Sequence, residues 1–499
     1  MGKYFLGLDQ GTTGTTALIL NENWDIHSCG YKEHTQYYPQ PGWVEHDPEE
    51  IWNSLQEAVK EALEKGKVKA QEIACIGIDN QGETCMIWDK NTGKPIYNAI
   101  VWQDRRTAKA ADKIREYHEE MIKEKTGLVV DSYFSGTKIK WILDNVKGAR
   151  DKAAKGELLA GTLDSYLIWK FTNGQSHFTD YSTASRTMIL NIYTKEWDEE
   201  ILKILDIPKD ILPEIKDSSY IYGNTSKESF FGAEVPLAGA AVDQQAALFG
   251  QACIEPGMVK TTYGTGCFML MNTGDKPVYS DNGLLTTVAW GINDKVSFAL
   301  DGGVYITGAA VQWLRDGIKI IEKASDTEDM AKSVEDTAGV YFVPAFVGLA
   351  APHWDQYARG MMIGITGGTR REHIVRATLE SIAYQVYDNL EIMKKDTNIP
   401  IAVMRVDGGA VVNEFLMQFQ ADILGIPVDV PVINETTALG AAYLAALAIG
   451  EFKDLSEFAS KWKLKKRYEP KMSEEERNKK IKGWHRAVER AKAWEIDEE

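Results

Sequence analysis

The chain has 499 residues, of which 44% are hydrophobic and 26% are charged, and its formal net charge is −17 at pH 7. Such a length exceeds what one hydrophobic core normally serves, so two globular domains are expected. The negative charge argues against nucleic acid or an anionic membrane as a partner, because both would repel the protein over most approaches. Small molecules are therefore the expected ligands.

The cysteines and the apolar runs bear on the cellular compartment. The five cysteines form no CxxC pair and have no metal-ligand spacing, and an odd number suits free thiols in a reducing compartment. The first residues lack the pattern of a signal peptide, and no run of 18 apolar residues occurs. We expect a cytoplasmic protein.

Residues 4–20, YFLGLDQGTTGTTALIL, predict a hairpin of two apolar strands. Its tip carries the carboxylate of Asp9, the glycines Gly11 and Gly14, and the hydroxyl groups of Thr12 and Thr13. Hydroxyl groups, glycine amides and a carboxylate can hold a phosphate group and its magnesium ion. A plain structural turn is the competing interpretation, because Gly/Thr-rich hairpins are common in that role.

The rest of the chain alternates between strand-like and helical periodicity, which predicts an α/β architecture. Residues 73–79 predict a short apolar strand, and residues 49–66 predict a helix that stops at a glycine. The best domain boundary lies near residues 250–257, so we predict domains over 1–252 and 253–499. The tail from Ser473 to about Trp494 predicts a solvated amphipathic helix.

A second hairpin follows the predicted boundary. Residues 258–272, MVKTTYGTGCFMLMN, again show a strand, a turn at Gly264, Thr265 and Gly266, and a strand. A domain duplication would place the two hairpins on opposite walls of a cleft. Chance similarity is the alternative that these residues leave open.

Two other segments fit the same cleft. In residues 239–251 a strand delivers Asp243 to the start of a helix, where a carboxylate either caps the helix or projects into a site. In residues 403–424 a strand ends at Asp407, and a Gly-Gly-Ala turn then leads into a helix. Such a turn lets a flat ring approach the backbone, or it is simply a tight turn.

Together these segments resemble the FGGY carbohydrate kinases, and within that family they are most similar to the glycerol kinases. The resemblance covers essentially the whole chain, and residues 133–145 and 360–380 are similar to the two signatures of the family. The segments that carry it are YPQPGWVEHDPEEIW (38–52), GKPIYNAIVWQDRRTA (93–108), YFSGTKIKWILDN (133–145), DYSTASRTMILNIYT (180–194), DQQAALFGQ (243–251), TYGTGCFMLMNTG (262–274) and RVDGGAVVNEFLMQFQADILG (405–425).

The resemblance implies two ribonuclease H-like domains of the actin and hexokinase ATPase type, flanking a catalytic cleft. It implies transfer of the γ-phosphoryl group of ATP to a hydroxyl group of a small polyol, with Mg²⁺ as cofactor, and a homo-oligomer, either a dimer or a tetramer. Asp243 would be the general base, and Asp9 and Asp243 would place Mg²⁺. Nucleotide contacts would come from Gly11, Thr12, Thr13, Gly14, Thr265, Gly308, Gln312, Gly409, Ala410 and Asn413. Polyol contacts would come from Glu83, Trp102, Tyr133, Asp243, Gln244 and Phe268.

Three positions depart from the pattern of glycerol kinases. Gly82 stands where those enzymes have an arginine that donates to substrate hydroxyl groups, and this change is expected to open room for a larger substrate. Asp104 replaces a cysteine and would supply an extra acceptor on the substrate side. Thr16 replaces an arginine on the phosphate side, which puts the nucleotide contacts there in doubt.

Glycerol is therefore the first candidate substrate, and glycerol 3-phosphate the expected product. A kinase of the same family that acts on a larger polyol, a cyclitol or a ketopentose is the alternative that Gly82 and Asp104 favour. A catalytically silent, actin-like binding module is a more remote alternative. The retention of Asp9 and Asp243 speaks against it.

Overall fold

The computed structural model describes residues 3–353 and 355–495, so the outer ends of the two predicted domains, residues 1–2 and 496–499, lie outside the described residues. The strands within this part of the chain are β1 (Tyr4–Gln10), β2 (Gly14–Leu20), β3 (Ile26–Glu33), β4 (Glu45–His46), β5 (Ile73–Asn80), β6 (Cys85–Asp89), β7 (Ala99–Ile100), β8 (Leu158–Thr162), β9 (Phe178–Asp180), β10 (Leu190–Asn191), β11 (Glu196–Trp197), β12 (Glu214–Lys216), β13 (Ser219–Asn224), β14 (Pro236–Val242), β15 (Val259–Tyr263), β16 (Cys267–Gly274), β17 (Leu285–Ile292), β18 (Lys295–Val304), β19 (Tyr341–Val343), β20 (Met361–Ile363), β21 (Met404–Gly408), β22 (Val428–Pro431) and β23 (Leu464–Tyr468).

The α-helices alternate with these strands. They are α1 (Pro48–Gly66), α2 (Ala108–Thr126), α3 (Ser135–Asn145), α4 (Ala149–Ala154), α5 (Leu163–Phe171), α6 (Tyr181–Ala184), α7 (Glu199–Leu205), α8 (Asp243–Gly250), α9 (Gly308–Asp316), α10 (Asp326–Lys332), α11 (Arg371–Thr397), α12 (Glu414–Leu424), α13 (Thr436–Ala448), α14 (Leu455–Ala459) and α15 (Glu474–Ala491). Short 3₁₀ turns occur at Ala70–Glu72, Ser185–Thr187, Lys209–Ile211 and Gly409–Val412. The predicted α/β architecture is confirmed.

Two large sheets divide the chain into a first lobe, up to the end of α8, and a second lobe, from β15 onward. The first sheet has the order β13-β14-β5-β1-β2-β3, and the second has the order β17-β18-β16-β15-β21-β22-β23. In each sheet an antiparallel hairpin, β1–β2 or β15–β16, lies beside two successive parallel strands, β5 and β14 or β21 and β22. The repeat that the two Gly/Thr turns predict is therefore present in the sheet topology. The division between residues 252 and 253 stays a prediction.

Local sequence explains the ends of the predicted helices. Helix α1 begins after Asp47, whose side chain accepts a hydrogen bond from the Glu49 amide at 2.8 Å, and it ends at Gly66. Helix α15 begins after Ser473, whose hydroxyl group accepts from the Glu476 amide. A capping side chain satisfies an amide that has no partner inside the helix. Both helices start where the sequence predicts.

Helix α13 joins the two lobes, because it packs across the first sheet although it belongs to the second half of the chain. A Cβ atom at Gly77 would lie 1.9 Å from the carbonyl oxygen of Ala441, and one at Gly440 would lie 1.9 Å from the carbonyl oxygen of Ala246. Only glycine permits such close approach of two backbones. An apolar cluster that includes Phe249 and Tyr443 fills this junction. No helix among residues 3–353 and 355–495 is long and apolar enough to cross a lipid bilayer.

Candidate active site

Three carboxylates lie at one edge of the first sheet. The register of the parallel pair β1–β5 places Asp9 beside Asp79, and the pair β5–β14 places Val242 beside Asn80. Asp243 follows Val242 directly and is the first residue of α8. Since the carboxyl ends of parallel strands meet at the same edge, the fold collects the three side chains around one point.

Burial and neighbouring negative charge raise the pKa of Asp9 and of Asp79. Burial raises the pKa of Asp9 to about 7, and the charge of Asp243 adds to this effect. Burial, followed by the charges of Asp9 and Asp243, raises the pKa of Asp79 well above its usual range. Neither carboxylate oxygen of Asp79 receives a hydrogen bond from an N–H or O–H group of the described residues, and the facing carboxyl group of Asp9 can only share a proton with it. Asp9 and Asp79 therefore lack a positive partner among the described residues.

A divalent cation fits this deficit. Buried carboxylates without partners are costly, and hard oxygen ligands are those that Mg²⁺ prefers. Within the described ranges, no group of three or more His, Cys, Asp and Glu side chains is arranged to hold a metal ion by itself. A cation here would take further oxygen ligands from water and from a bound anion, as Mg²⁺ usually does.

Asp243 projects into the site and does not cap its own helix. The N-cap position of α8 is Val242, and Asp243 accepts a hydrogen bond from the adjacent Gln244 amide at 2.7 Å. Burial raises the pKa of Asp243, while the ammonium group of Lys260 opposes that shift. Of the two interpretations that the sequence left open, the geometry favours the site residue.

The tips of both hairpins present hydroxyl groups. The first tip closes through a hydrogen bond from the Gly11 amide to the Gly14 carbonyl oxygen at 3.0 Å, and Thr13 is exposed there. The second closes through the Gly264 amide and the Gly266 carbonyl oxygen at 2.8 Å, with Thr265 exposed. The two lobes therefore carry equivalent Gly/Thr tips, each free to bind an anion.

The second hairpin lies against the start of α9. The Gly308 amide donates to the Gly264 carbonyl oxygen at 3.1 Å, and a Cβ atom at position 308 would lie 2.5 Å from that oxygen. Glycine is therefore required at 308 for this contact. Gln312 follows one turn later on the same helix and is exposed.

The Gly-Gly-Ala turn follows β21, the strand next to β15. No heavy atom lies within 4 Å of a Cβ atom built at Gly409, so the space beside this backbone is open. Ala410 is half-buried in the same turn, and the Asn413 side chain caps α12 through the Leu416 amide at 2.9 Å. Open space over a flat turn suits a planar ring.

A second cluster, around Glu83 and Tyr133, also lies near Asp243. Glu83 has a left-handed backbone, with φ of 57°, and its Oε1 accepts a hydrogen bond from Arg186 Nε at 2.6 Å. The rings of Trp102 and Tyr133 meet edge to face with centroids 5.9 Å apart, and Trp102 Nε1 donates to Thr12 Oγ1 at 2.9 Å. The charges of both Glu83 and Asp243 raise the pKa of Tyr133, after burial. Acceptors and aromatic faces thus surround one small space.

The second lobe contributes to this space through neighbouring strands. Phe268 on β16 pairs with Gly303 on β18, two residues from Asp301. Asp301 Oδ2 lies 3.1 Å from Arg186 Nη1 of the first lobe. Lys260 on β15 is fully buried and donates to Gln244 Oε1 and, at 2.8 Å, to Thr262 Oγ1. Two buried cations therefore link the lobes beside Asp243.

The prediction that Asp104 contacts the substrate is wrong. Its side chain has no exposed surface, its Oδ2 accepts from the Val44 amide at 2.7 Å, and both oxygens accept from the Arg106 guanidinium group. Arg106 also pairs with Glu45 at 2.7 Å and stacks over Trp43. Asp104 is a structural anchor for the segment around residue 44.

Asp104→Asn is accordingly expected to lower the free energy of unfolding by about 3 kcal/mol, because it breaks a buried ion pair. Substrate affinity of the folded protein should stay within about twofold of wild type. Urea unfolding and steady-state kinetics on the same preparation check both expectations. A large rise in KM at unchanged stability would restore Asp104 to the substrate site.

The predicted room beside Gly82 is also absent. Gly82 is buried, and a Cβ atom there would lie 2.7 Å from Val242 Cγ2. The β-branched side chain of Val242 is itself buried and cannot rotate away cheaply. The space directly beside Gly82 is therefore occupied by Val242.

Sequence reasoning missed four charged residues of the site: Asp79, Arg186, Lys260 and Asp301. Asp79 had a signal, because β5 ends in a carboxylate just as β1 does. Arg186 acts through a contact with Glu83 across 103 residues of sequence, and Asp301 acts through its ion pair with Arg186. Lys260 contacts Gln244 across the predicted domain boundary.

Comparisons with known proteins agree with this geometry. The profile of the FGGY family of carbohydrate kinases, N-terminal domain, matches residues 4–250, and that of the C-terminal domain matches residues 259–449. Glycerol kinase 2 of Thermotoga maritima is 62% identical over 494 residues, which cover 99% of each chain. Glycerol kinase of Caldanaerobacter subterraneus subsp. tengcongensis is 60% identical over 495 residues, with the same coverage.

Solved structures agree as well. The crystal structure of Plasmodium falciparum glycerol kinase with ADP superposes with a TM-score of 0.92 at 38% identity and covers 98% of each chain. A xylulose kinase from Rhodospirillum rubrum, at 20% identity and a TM-score of 0.84, shares the fold. The predicted fold class, two ribonuclease H-like domains, and the predicted resemblance are both confirmed. The chain belongs to the FGGY family of carbohydrate kinases.

Proposed function

We propose that this kinase transfers the γ-phosphoryl group of ATP to a primary hydroxyl group of glycerol, giving glycerol 3-phosphate. One observation carries the proposal: the charge of Asp243 acts both on Asp9 and Asp79 and on Glu83 and Tyr133, so its carboxylate lies close to both groups. A base in that position can take the proton from an acceptor hydroxyl group in the pocket. The oxygen of that hydroxyl group then attacks the phosphorus atom of a phosphate held near the carboxylates. Relatives named glycerol kinase, about 60% identical over nearly the whole chain, support glycerol as the acceptor.

Asp243 would accept the proton of the attacking hydroxyl group. A carboxylate is effective when it is ionised and within hydrogen-bond reach of that hydroxyl group. Burial raises the pKa of Asp243 and strengthens it as a base, while Lys260 and the Gln244 amide favour its ionised form. Because the transition state is loose, positioning and charge neutralisation contribute more than the base itself.

The polyol would lie between Glu83 and the rings of Trp102, Tyr133 and Phe268. Glu83 would accept from a hydroxyl group, since no hydrogen bond to its Oε2 is formed within residues 3–353 and 355–495. The aromatic faces would pack against the carbon edge of glycerol. Gly82 is backed by Val242, and Asp104 is paired with Arg106, so the two departures that favoured a larger substrate do not enlarge the pocket.

The phosphates would bind between the two Gly/Thr tips, with Thr12 and Thr13 from one lobe and Thr265 from the other. Gly308, Gln312, Gly409, Ala410 and Asn413 would line the adenine nucleotide. Asp9, Asp79 and Asp243 would hold Mg²⁺ directly or through water. Mg²⁺ would neutralise charge on the phosphate oxygens during transfer. A homo-oligomer stays a prediction from the family resemblance, and a cytoplasmic location stays a prediction from the cysteines and the first residues of the sequence.

A screen of ATP consumption across glycerol, tetritols, pentitols, inositols and ketopentoses tests the substrate. Glycerol is expected to have the highest kcat/KM, at least about tenfold above the others, because a site built for its hydroxyl groups leaves no room for further carbons. Each acceptor should be compared with a no-acceptor control for hydrolysis. A pentitol, inositol or ketopentose at the top of the ranking would overturn the assignment to glycerol.

A further inference from the structure

Arg186 is a buried cation at the boundary between the lobes. Its residue is 4% exposed, and its guanidinium group touches two carboxylates at different atoms. Nε donates to Glu83 Oε1 at 2.6 Å, and Nη1 lies 3.1 Å from Asp301 Oδ2. The guanidinium carbon also lies 5.9 Å from the centre of the Tyr133 ring. The side chain therefore contacts two residues of the proposed polyol pocket, Glu83 and Tyr133.

The two carboxylates belong to different lobes. Glu83 follows β5 of the first sheet, and Asp301 lies on β18 of the second. Arg186 itself belongs to the first lobe, in the 3₁₀ turn Ser185–Thr187. The ion pair with Asp301 thus exists only while the lobes stand as they do here, whereas the bond to Glu83 lies within one lobe.

Arg186 also governs the state of Glu83. Burial raises the pKa of Glu83, and the charge and hydrogen bond of Arg186 are the main influences that oppose this shift. One carboxylate oxygen is fixed by Arg186, which leaves the other to accept from a ligand. Nη1 of Arg186 is buried and makes no hydrogen bond with the described residues. Its contact is the ion pair with the carboxylate of Asp301.

We propose that Arg186 is a positioning residue that makes polyol binding depend on the closed arrangement of the lobes, because it fixes Glu83 and is itself held by Asp301 of the second lobe. This inference rests on the proposed function, in which Glu83 binds the polyol. When Asp301 no longer holds Arg186, a smaller fraction of molecules is closed. The apparent affinity for the polyol then falls in proportion to the closed fraction, while a saturating concentration of polyol still closes the cleft.

The test is a kinetic double-mutant cycle with Asp301→Asn, Arg186→Met and the double variant, together with Arg186→Lys. Asp301→Asn is expected to raise KM for glycerol about tenfold with kcat within about twofold of wild type. Arg186→Met should raise KM at least about thirtyfold, Arg186→Lys should recover part of that loss, and the double variant should be no worse than Arg186→Met.

The matched control is Arg376→Met, which removes another largely buried arginine that pairs with Glu380 at 3.0 Å on α11. It should lower the melting temperature without raising KM for glycerol. An unchanged KM in Asp301→Asn, or strictly additive effects in the double variant, would overturn the inference. If Arg186→Met does not fold, Asp301→Asn alone decides, since Asp301 is partly exposed and the change is isosteric.

The outcome separates the inference from the proposed function. If wild type fails to phosphorylate glycerol, the proposed substrate is wrong, and the same cycle is run with the polyol that ranks first in the screen. If wild type phosphorylates glycerol but KM is the same in all variants, the function stands and the role of Arg186 is refuted.

Discussion

Asp243→Asn is expected to abolish phosphoryl transfer, with kcat reduced at least about 10³-fold, while the fold and nucleotide binding are retained. The asparagine keeps the size of the side chain but cannot accept the proton of the attacking hydroxyl group. Asp243 is not the N-cap of α8, so the helix should not depend on its charge. A coupled assay for ADP, calorimetric titration with the nucleotide and circular dichroism measure the three quantities.

Asp198→Asn is the matched control, because Asp198 is also an aspartate at a helix start. It is the N-cap of α7 and accepts from the Glu200 and Ile201 amides. Its replacement should lower stability by up to about 1 kcal/mol with kcat unchanged. If Asp243→Asn retained even a tenth of the wild-type activity, Asp243 would not be the base.

Asp79→Asn is expected to have two opposite effects: activity falls at least about 10²-fold, and the ligand-free protein becomes more stable at pH 8 by about 1–3 kcal/mol. Activity is expected to fall because the site would lose one of the carboxylates proposed to hold Mg²⁺. Stability rises because a buried carboxyl group without donors is replaced by a neutral amide. Thermal unfolding and steady-state kinetics measure the two effects.

The raised pKa of Asp79 also predicts how the stability gain of Asp79→Asn depends on pH. The pKa of Asp79 is raised in the folded protein, so the folded state holds a proton that the unfolded state releases above its own pKa. Wild-type stability should therefore fall as the pH rises from about 4, and Asp9, whose pKa is raised to about 7, acts in the same direction. The gap in melting temperature between Asp79→Asn and wild type should widen from pH 5 to pH 8. A constant gap would show that Asp79 is stabilised by a partner.

Local patterns made much of the fold predictable. The hairpin of β1 and β2 and the start of α1 depend on residues that are neighbours in sequence, such as Asp47 and Pro48. The repeat was visible because both lobes use the same Gly/Thr turn. The position of Asp243 at a strand-to-helix junction was also local information.

Long-range contacts could not be predicted in this way. Asp104 looked like a substrate acceptor until its bonds to Arg106 and Val44 were seen, and Val44 lies 60 residues away. The space beside Gly82 depends on Val242, which a separate strand brings there. The family resemblance suggested a role for each matching residue, but it did not show which side chains pack around that residue in this protein. Burial and partners therefore decided which of the predicted residues can reach a ligand.

In the proposed mechanism Asp243 faces both the acceptor hydroxyl group and the terminal phosphate, which would be held between the two lobes. A crystal structure with glycerol, Mg²⁺ and a non-hydrolysable ATP analogue tests it most directly. We expect a carboxylate oxygen of Asp243 within about 2.6–3.2 Å of a primary hydroxyl oxygen of glycerol, with the γ-phosphorus atom in line beyond that oxygen. Glycerol bound away from Asp243, or phosphates that touch only one of the two Gly/Thr tips, would contradict it.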